Sequence, residues 1–114
     1  MKDNDLKERL FNFSVSVPKM LSSIKYGKEI DVLKYQLSKS TTSAGANYEE
    51  SQAAVSKADF VNKVAISLKE IRESNYWLRI INKLFQETEN ISNLVHESEE
   101  LGKILASILI KSRS

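Results

Sequence analysis

Apolar residues recur every three or four positions along most of this chain, and no other feature constrains its fold as strongly. That spacing is the period of an α-helix that buries one face. The sequence contains one proline and three glycines, so little interrupts the pattern. The apolar–polar alternation of a half-buried strand does not occur over any useful length. We therefore predict an all-α protein with long helices.

The apolar pattern divides into four segments, at about residues 4–25, 28–53, 57–86 and 89–111. The connections between these segments are short, and short connections place consecutive helices side by side and antiparallel. The predicted architecture is an antiparallel up-and-down four-helix bundle. A chain of 114 residues is long enough for one such core, so residues 1–114 are expected to form a single domain.

Local signals predict where the first helix begins and ends. Asn4 or Asp5 is a candidate N-cap. Pro18 lies inside the apolar pattern, where it removes a backbone donor, and predicts either a kink near residues 14–18 or a later start of the regular helix. Gly27 is expected to end the segment in a left-handed conformation.

Two further signals concern the other helices. Ser56 begins the third segment as a candidate N-cap, and Asp59 can reach back to the preceding backbone as in a capping box. The third segment is expected to break within "QETEN". Glu89 at the start of the fourth segment, with Lys111 and Arg113 at its end, suits the helix dipole.

The stretch "QLSKSTTSAGANYEES", residues 36–51, has the composition of a loop but is interpreted as helix. A phosphate-binding loop would need two glycines ahead of a Lys-Ser/Thr pair and a preceding strand, and this stretch has a single glycine and no strand. A flexible linker would split the bundle into halves too small to hold a core. Small residues at helical spacing instead allow a neighbouring helix to approach closely, and Ala44 and Gly45 are the predicted points of close packing.

Polar residues of this stretch fall on one helical face: Ser40, Ser43, Asn47 and Glu50. The third helix offers polar groups over a comparable length: Ser67, Glu70, Ser74 and Asn75. Buried polar groups must be paired, and such networks fix the register of helices. We interpret the set, with Glu70, as a structural seam between helices or subunits, and a ligand or partner groove is the alternative.

Large aromatic residues are candidates for the core or for an interface. Tyr48 flanks the polar face of the second helix. Tyr76 and Trp77 are adjacent and so point about 100° apart on a helix, which allows only one of them to be central to the core. The other is expected at a seam or subunit interface, with base stacking on nucleic acid as the alternative.

The sequence contains no assembled set of catalytic or metal-binding residues. The absence of cysteine excludes disulfides and thiolate zinc. His96 is the only histidine, and a carboxylate-bridged metal site in a bundle would need a second. We predict no enzymatic activity and no cofactor. The start lacks a signal-peptide apolar run, and no apolar segment reaches the roughly 20 residues of a membrane span. We expect a cytoplasmic protein.

The same small-residue stretch resembles the signature of a known family. Together with "SKADFVNKVAISLKEIRESNYWLRII" and the opening "DLKERLFNF", it is similar to the bacterial four-helix bundle proteins, also called the ribosomal-protein-S23-like or 23S rRNA intervening-sequence family. The resemblance covers nearly the whole chain. The matched positions are Gln36, Leu37, Ser40, Thr42, Ser43, Gly45, Ala46, Asn47, Tyr48, Glu50, Ser56, Asp59, Phe60, Lys69, Glu70, Tyr76, Trp77 and Leu78.

This resemblance implies an up-and-down bundle that assembles into a homopentameric ring. Relatives in the same superfamily include the accessory variability protein of diversity-generating retroelements, which works with a reverse transcriptase and RNA. No molecular function is established for the family. The resulting expectation is a non-enzymatic, self-assembling accessory protein.

The alternative function is an RNA- or DNA-binding accessory, or a partner of a nucleic-acid-processing protein. The formal charge of +2 is small, and the basic residues of the N-terminal half are interspersed with acids. A ring would multiply any modest basic patch. The candidate nucleic-acid contacts are Lys7, Arg9, Lys34 and Lys39.

Overall fold

The computed structural model describes residues 3–85 and 89–113, which form four helices. These are α1 (Asp3–Leu21), α2 (Lys28–Ser51), α3 (Lys57–Leu84) and α4 (Glu89–Arg113). No strand occurs within these two ranges. The predicted fold class and all four helical segments are confirmed. The largest difference between a predicted and an observed boundary is at the end of α1, which stops four residues earlier than predicted.

The helices pack as a closed square. α2 packs between α1 and α3, α3 packs between α2 and α4, and α1 packs against α4. The start of α1 meets the end of α2, because Lys7 lies 4.0 Å from Glu49, whereas Lys34 near the start of α2 donates to the carbonyl of Ile24 just beyond α1. α1 and α2 are therefore antiparallel, as their short connection predicts.

The core consists of the apolar stripes that the sequence pattern predicts. Each helix contributes side chains that are almost completely buried, and burial of one such aliphatic side chain stabilises the fold by about 1.5–3 kcal/mol. The fully buried large residues include Leu6, Leu10, Val17, Leu37, Tyr48, Val64, Ile71, Leu78, Ile81, Leu101 and Leu105. None of the described helices is long and apolar enough to cross a membrane.

Two predictions for α1 are wrong. The helix already includes Asn4 and Asp5, so neither is its N-cap. The prediction started the helix at the first apolar residue of the pattern, whereas the helix begins before Leu6, which is buried. The regular helix also starts no later than Asp3 and continues through Pro18. The kink near residues 14–18, the other alternative that Pro18 allows, stays a prediction.

Gly27 does not end α1, so that prediction is also wrong. It directly precedes α2 with φ 177° and ψ 154°, an extended conformation open to any residue, and no glycine in the described ranges has positive φ. The last carbonyl groups of α1 find hydrogen-bond donors in another way. Ser23 and Ile24 donate backbone hydrogen bonds to the carbonyls three residues earlier, so a left-handed residue is not needed.

The cap of α3 is confirmed in its main contact. The Ser56 hydroxyl accepts from the backbone N–H of Asp59 at 3.0 Å. The Asp59 carboxylate accepts from the backbone N–H of Val55 at 3.2 Å, one residue before the donor of a standard capping box. The break predicted within "QETEN" involves residues 86–88, which lie outside the described ranges.

Candidate functional site

A buried hydroxyl cluster joins α2 to α3. The Ser74 hydroxyl lies 2.8 Å from that of Ser40 and 3.1 Å from that of Thr41. All three residues are fully buried. Ser74 also donates to the carbonyl of Glu70 at 2.9 Å. The cluster is therefore internally satisfied, and it fixes the register of the two helices.

The next turn of this seam is held by a hydrogen bond to the backbone. Ser67 on α3 donates to the carbonyl of Ala44 on α2 at 2.8 Å, and both residues are fully buried. A side chain larger than alanine at position 44 would separate the two helices. Ser40 and Ala44 are thus placed inside a closed helix–helix contact that offers no space for a ligand.

The rest of the predicted polar face lies at the edge of the seam. The Asn47 amide donates to the carbonyl and hydroxyl of Ser43 at 2.9 and 3.2 Å, so this half-buried pair is internal to α2. Glu50 is exposed and pairs with Lys63 of α3 at 3.0 Å. The hydrogen bond that Lys63 donates to the Glu50 carboxylate raises the pKa of Lys63. Glu70 is half-buried, and its carbonyl accepts the bond from Ser74.

Gly45 faces α1, on the other side of α2 from Ser40. A Cβ at this position would lie 2.9 Å from the Ser14 hydroxyl and 3.6 Å from the Leu10 carbonyl. The Ser14 hydroxyl donates to that carbonyl at 2.9 Å and lies 3.3 Å from the carbonyl of Thr41. The small residues of α2 therefore serve two contacts, one with α3 and one with α1. Sequence periodicity did not separate these contacts.

The aromatic candidates occupy three environments. Tyr48 is in the core. Trp77 is half-buried against the core and donates from Nε1 to Glu73 at 3.1 Å. Tyr76 is 51% exposed, and its ring meets that of Trp77 edge-on at a centroid distance of 5.3 Å. The side chain of Arg79 lies 5.8 Å from the Tyr76 ring.

The predicted nucleic-acid contacts do not form a single basic surface. Arg9 makes a double hydrogen bond with Glu97 of α4, at 2.6 and 3.0 Å, which raises the pKa of Arg9. Lys7 lies beside Glu49. Lys34 contacts the Ile24 carbonyl and lies 5.0 Å from the ring of Tyr26. Lys39 is exposed on α2.

A basic surface does occur on α3, and sequence reasoning missed it. Its residues recur at intervals of three and four and are all exposed. This spacing is the sequence signal by which the surface could have been found. We define the α3 basic face as Lys69, Arg72, Tyr76, Arg79 and Lys83.

The α3 basic face borders a groove of about 430 Å³ between α3 and α4. We call it the α3–α4 groove. Asn75 donates to Ser98 at 2.8 Å across it and accepts from Arg79 at 2.9 Å. Asn75 therefore contacts α4, and the expectation that it lies with Ser67, Glu70 and Ser74 opposite α2 is wrong. Arg72, Glu99, Gly102 and Lys103 also line the groove.

Four large apolar residues on the helices of the first hairpin are exposed. Phe11 and Val15 on α1, with Val32 and Tyr35 on α2, are between 46% and 64% exposed. We call these four residues the α1–α2 outer face. Isolated exposed apolar residues are normal on soluble proteins, whereas a contiguous patch of them marks an interaction surface.

Chemistry-bearing side chains do not converge in the described part of the chain. Within residues 3–85 and 89–113, no three His, Cys, Asp or Glu residues are placed to hold a metal ion. His96 is exposed and lies 3.7 Å from Glu99. The notable features are therefore the buried seam, the α1–α2 outer face, and the α3 basic face with its groove.

These observations define the class of protein as an up-and-down four-helix bundle with an exposed apolar face on α1 and α2 and a basic face on α3. The model of the 23S rRNA-intervening sequence protein family matches residues 2–107, so the chain belongs to this family. The resemblance predicted from "QLSKSTTSAGANYEES" is confirmed.

A solved structure supports the same assignment. The chain is similar to the crystal structure of a protein with unknown function from the S23 ribosomal protein family of Bacteroides thetaiotaomicron VPI-5482. The two are 31% identical with a TM-score of 0.80, and the match covers 91% of this chain and 97% of that one. No functionally curated protein matches the chain.

Proposed function

We propose that this protein is a non-enzymatic interaction protein that assembles with copies of itself into a ring. Five copies is the expected number, and the assembly acts as an accessory to another macromolecule. The observation that carries this proposal is the α1–α2 outer face, whose four large apolar side chains remain in water in the single chain.

The location of these residues favours contact with a second copy. All four lie on one helical hairpin and are exposed, so each is available for contact with a neighbouring copy. Most soluble homo-oligomers have closed symmetry, and a patch that meets a different surface of the next copy generates a ring. The exposed residues pack little within their own chain, so they can contribute to assembly without weakening the bundle.

Light scattering after size-exclusion chromatography tests the assembly. Five chains of 13.0 kDa would give a mass of about 65 kDa, and a mass of 13.0 kDa would contradict the proposal. The double substitution Phe11→Glu, Tyr35→Glu should dissociate the ring, because each places a charge where apolar contact is expected. Ile110→Glu is the matched control, since Ile110 is an exposed apolar residue on α4. It should leave the mass unchanged.

A second candidate function is the binding of nucleic acid by this accessory protein. The specific observation that favours it is the α3 basic face. The family is also described by the intervening sequences of 23S rRNA, which is consistent with a link to nucleic acid. Phosphate contacts make affinity fall steeply as salt increases. Fluorescence anisotropy with a labelled mixed-sequence RNA should therefore show binding at low salt that weakens as salt is added, and no binding at low salt would reject this function.

A further inference from the structure

We propose that the α3 basic face and the α3–α4 groove form a binding site for single-stranded nucleic acid. Phosphates would contact the cations along α3, and one base would stack on Tyr76. This inference rests on the second candidate function and gives it a site and a ligand class.

The face has the geometry of a track along the helix. Lys69, Arg72, Tyr76, Arg79 and Lys83 follow at intervals of three, four, three and four residues, so they form one stripe on α3. The stripe is about 21 Å long at about 1.5 Å per residue. All five side chains are exposed, which allows an extended strand to contact several of them at once.

The cations of the face are not neutralised by neighbouring carboxylates. Among the described residues, no Asp or Glu oxygen lies within 4.0 Å of the charged groups of Lys69, Arg72, Arg79 or Lys83. The basic residues elsewhere that pair with acids are Lys7, Arg9, Lys63 and Lys103.

Arg79 contacts neutral groups rather than carboxylates. Its Nε donates to the neutral Asn75 amide, and its guanidinium lies near the neutral Tyr76 ring. These partners orient the side chain without cancelling its charge. A positive charge that is held in place but not compensated suits a phosphate ligand.

Tyr76 is arranged as an aromatic platform in the middle of the stripe. Trp77 contacts its ring edge-on, with the two planes at 65°, and Trp77 is itself held by the hydrogen bond to Glu73. Half of Tyr76 nevertheless remains exposed. Basic tracks with interspersed aromatic rings bind single strands because any base can stack on such a ring.

The α3–α4 groove gives the site an open space beside the α3 basic face. Gly102 contributes no side chain to its lining. A Cβ there would come only within 3.7 Å of Ile71, an ordinary contact, so helix packing does not require glycine at this position. The glycine keeps the groove open next to Arg72 and Arg79. Glu99 is the one carboxylate among the residues lining the groove.

The surroundings of α3 favour a single strand over a duplex. α3 lies between α2 and α4, so it presents only its outer face and cannot enter a major groove in the way a protruding recognition helix does. Bases available for stacking on Tyr76 belong to unpaired nucleotides. An acidic protein segment would also suit the cations, but it gives no role to the exposed aromatic ring among them.

The test uses the full-length protein and a labelled oligouridine in fluorescence anisotropy across a salt series. An abasic oligomer of equal length and a polyglutamate peptide are the comparison ligands. Arg72→Gln with Arg79→Gln should weaken oligouridine binding at least about tenfold and reduce the salt slope by about 1.4, at about 0.7 per lost phosphate contact. Lys19→Gln with Lys28→Gln is the charge-matched control on α1 and α2, with an expected change below about twofold.

Tyr76 variants test the stacking contact separately. Tyr76→Leu should weaken oligouridine binding about fivefold with the salt slope unchanged, whereas Tyr76→Phe should retain binding. The abasic oligomer should be insensitive to both changes. Circular dichroism of each variant checks that the bundle is folded, as expected for exposed positions.

Each contrary result has a distinct meaning. If the wild-type protein binds no oligomer at low salt, the second candidate function and this site both fail. If the arginine double variant binds as well as its control, nucleic-acid binding stands but this site is wrong. If polyglutamate binds as tightly as oligouridine and Tyr76→Leu has no effect, the ligand is a general polyanion and the assignment to single strands is overturned.

Discussion

Two glycines within helices, Gly45 and Gly102, show how surroundings decide the role of a residue. In a helix interior glycine costs about 1 kcal/mol relative to alanine. At Gly45 an added Cβ would lie only 2.9 Å from the Ser14 hydroxyl, whereas at Gly102 the nearest atom is 3.7 Å away. The first glycine permits the approach of α1 to α2. The second is not needed for packing.

Alanine substitutions at the two glycines should therefore have opposite effects on the free energy of unfolding. Gly102→Ala should stabilise by about 0.5–1 kcal/mol. Gly45→Ala should destabilise by about 1 kcal/mol, because displacement of the Ser14 hydroxyl outweighs the gain in helix propensity. Urea denaturation gives both values.

A Ser14→Ala background checks the cause. It removes the crowded hydroxyl, so Gly45→Ala should then be about 1 kcal/mol less destabilising than in the wild type. Equal stabilisation by both glycine substitutions in the wild type would show that the α1–α2 approach does not restrict position 45.

At the scale of elements, helix ends depend on a few local contacts. α3 begins where the Ser56 hydroxyl accepts from Asp59 N–H and Asp59 accepts from Val55 N–H. α1, in contrast, ends through backbone bonds to carbonyls three residues back. A side-chain cap can be recognised from residue types. A turn made only by the backbone carries no such mark, which is why Gly27 was assigned the wrong role.

Removal of the α3 cap should destabilise the bundle modestly. Ser56→Ala loses the acceptor for the Asp59 N–H and should lower the free energy of unfolding by about 1 kcal/mol. Ser56→Asp supplies another acceptor and should stay within about 0.3 kcal/mol of the wild type. Urea denaturation distinguishes them, and equal losses for both would mean that the hydroxyl contact does not hold the start of α3.

At the scale of the whole molecule, an ion pair connects the first helix to the last. Arg9 and Glu97 are 88 positions apart in sequence and form a double hydrogen bond, with each side chain 31% exposed. This pair closes the square of helices on the α1–α4 side. Two aligned bonds of a partly shielded pair should be stronger than the usual surface ion pair.

A double-mutant cycle with Arg9→Ala and Glu97→Ala should give a coupling energy of about 1 kcal/mol that decreases with added salt. The same cycle on Lys103 and Glu100 is the control. That pair is 3.4 Å apart and mostly exposed, so its coupling should be close to zero. Equal coupling in the two cycles would contradict a special role for the α1–α4 pair.

The helical architecture could be predicted because its determinants are local. Apolar spacing and the Ser56 cap each depend on residues within a few turns of one another. These signals placed all four helices and identified the small-residue half of α2 as helix. They also carried the family resemblance, since "QLSKSTTSAGANYEES" is the same stretch that packs against two neighbouring helices.

The tertiary structure alone decided what each helical face meets. Ser40 and Glu50 share a predicted face, yet one is buried against Ser74 and the other pairs with Lys63 at the surface. The cations of α3 could be read from the sequence, but their lack of carboxylate partners could not. Helical period is set by neighbours along the chain, whereas burial, pairing and exposure depend on residues tens of positions away, and only packing brings those together.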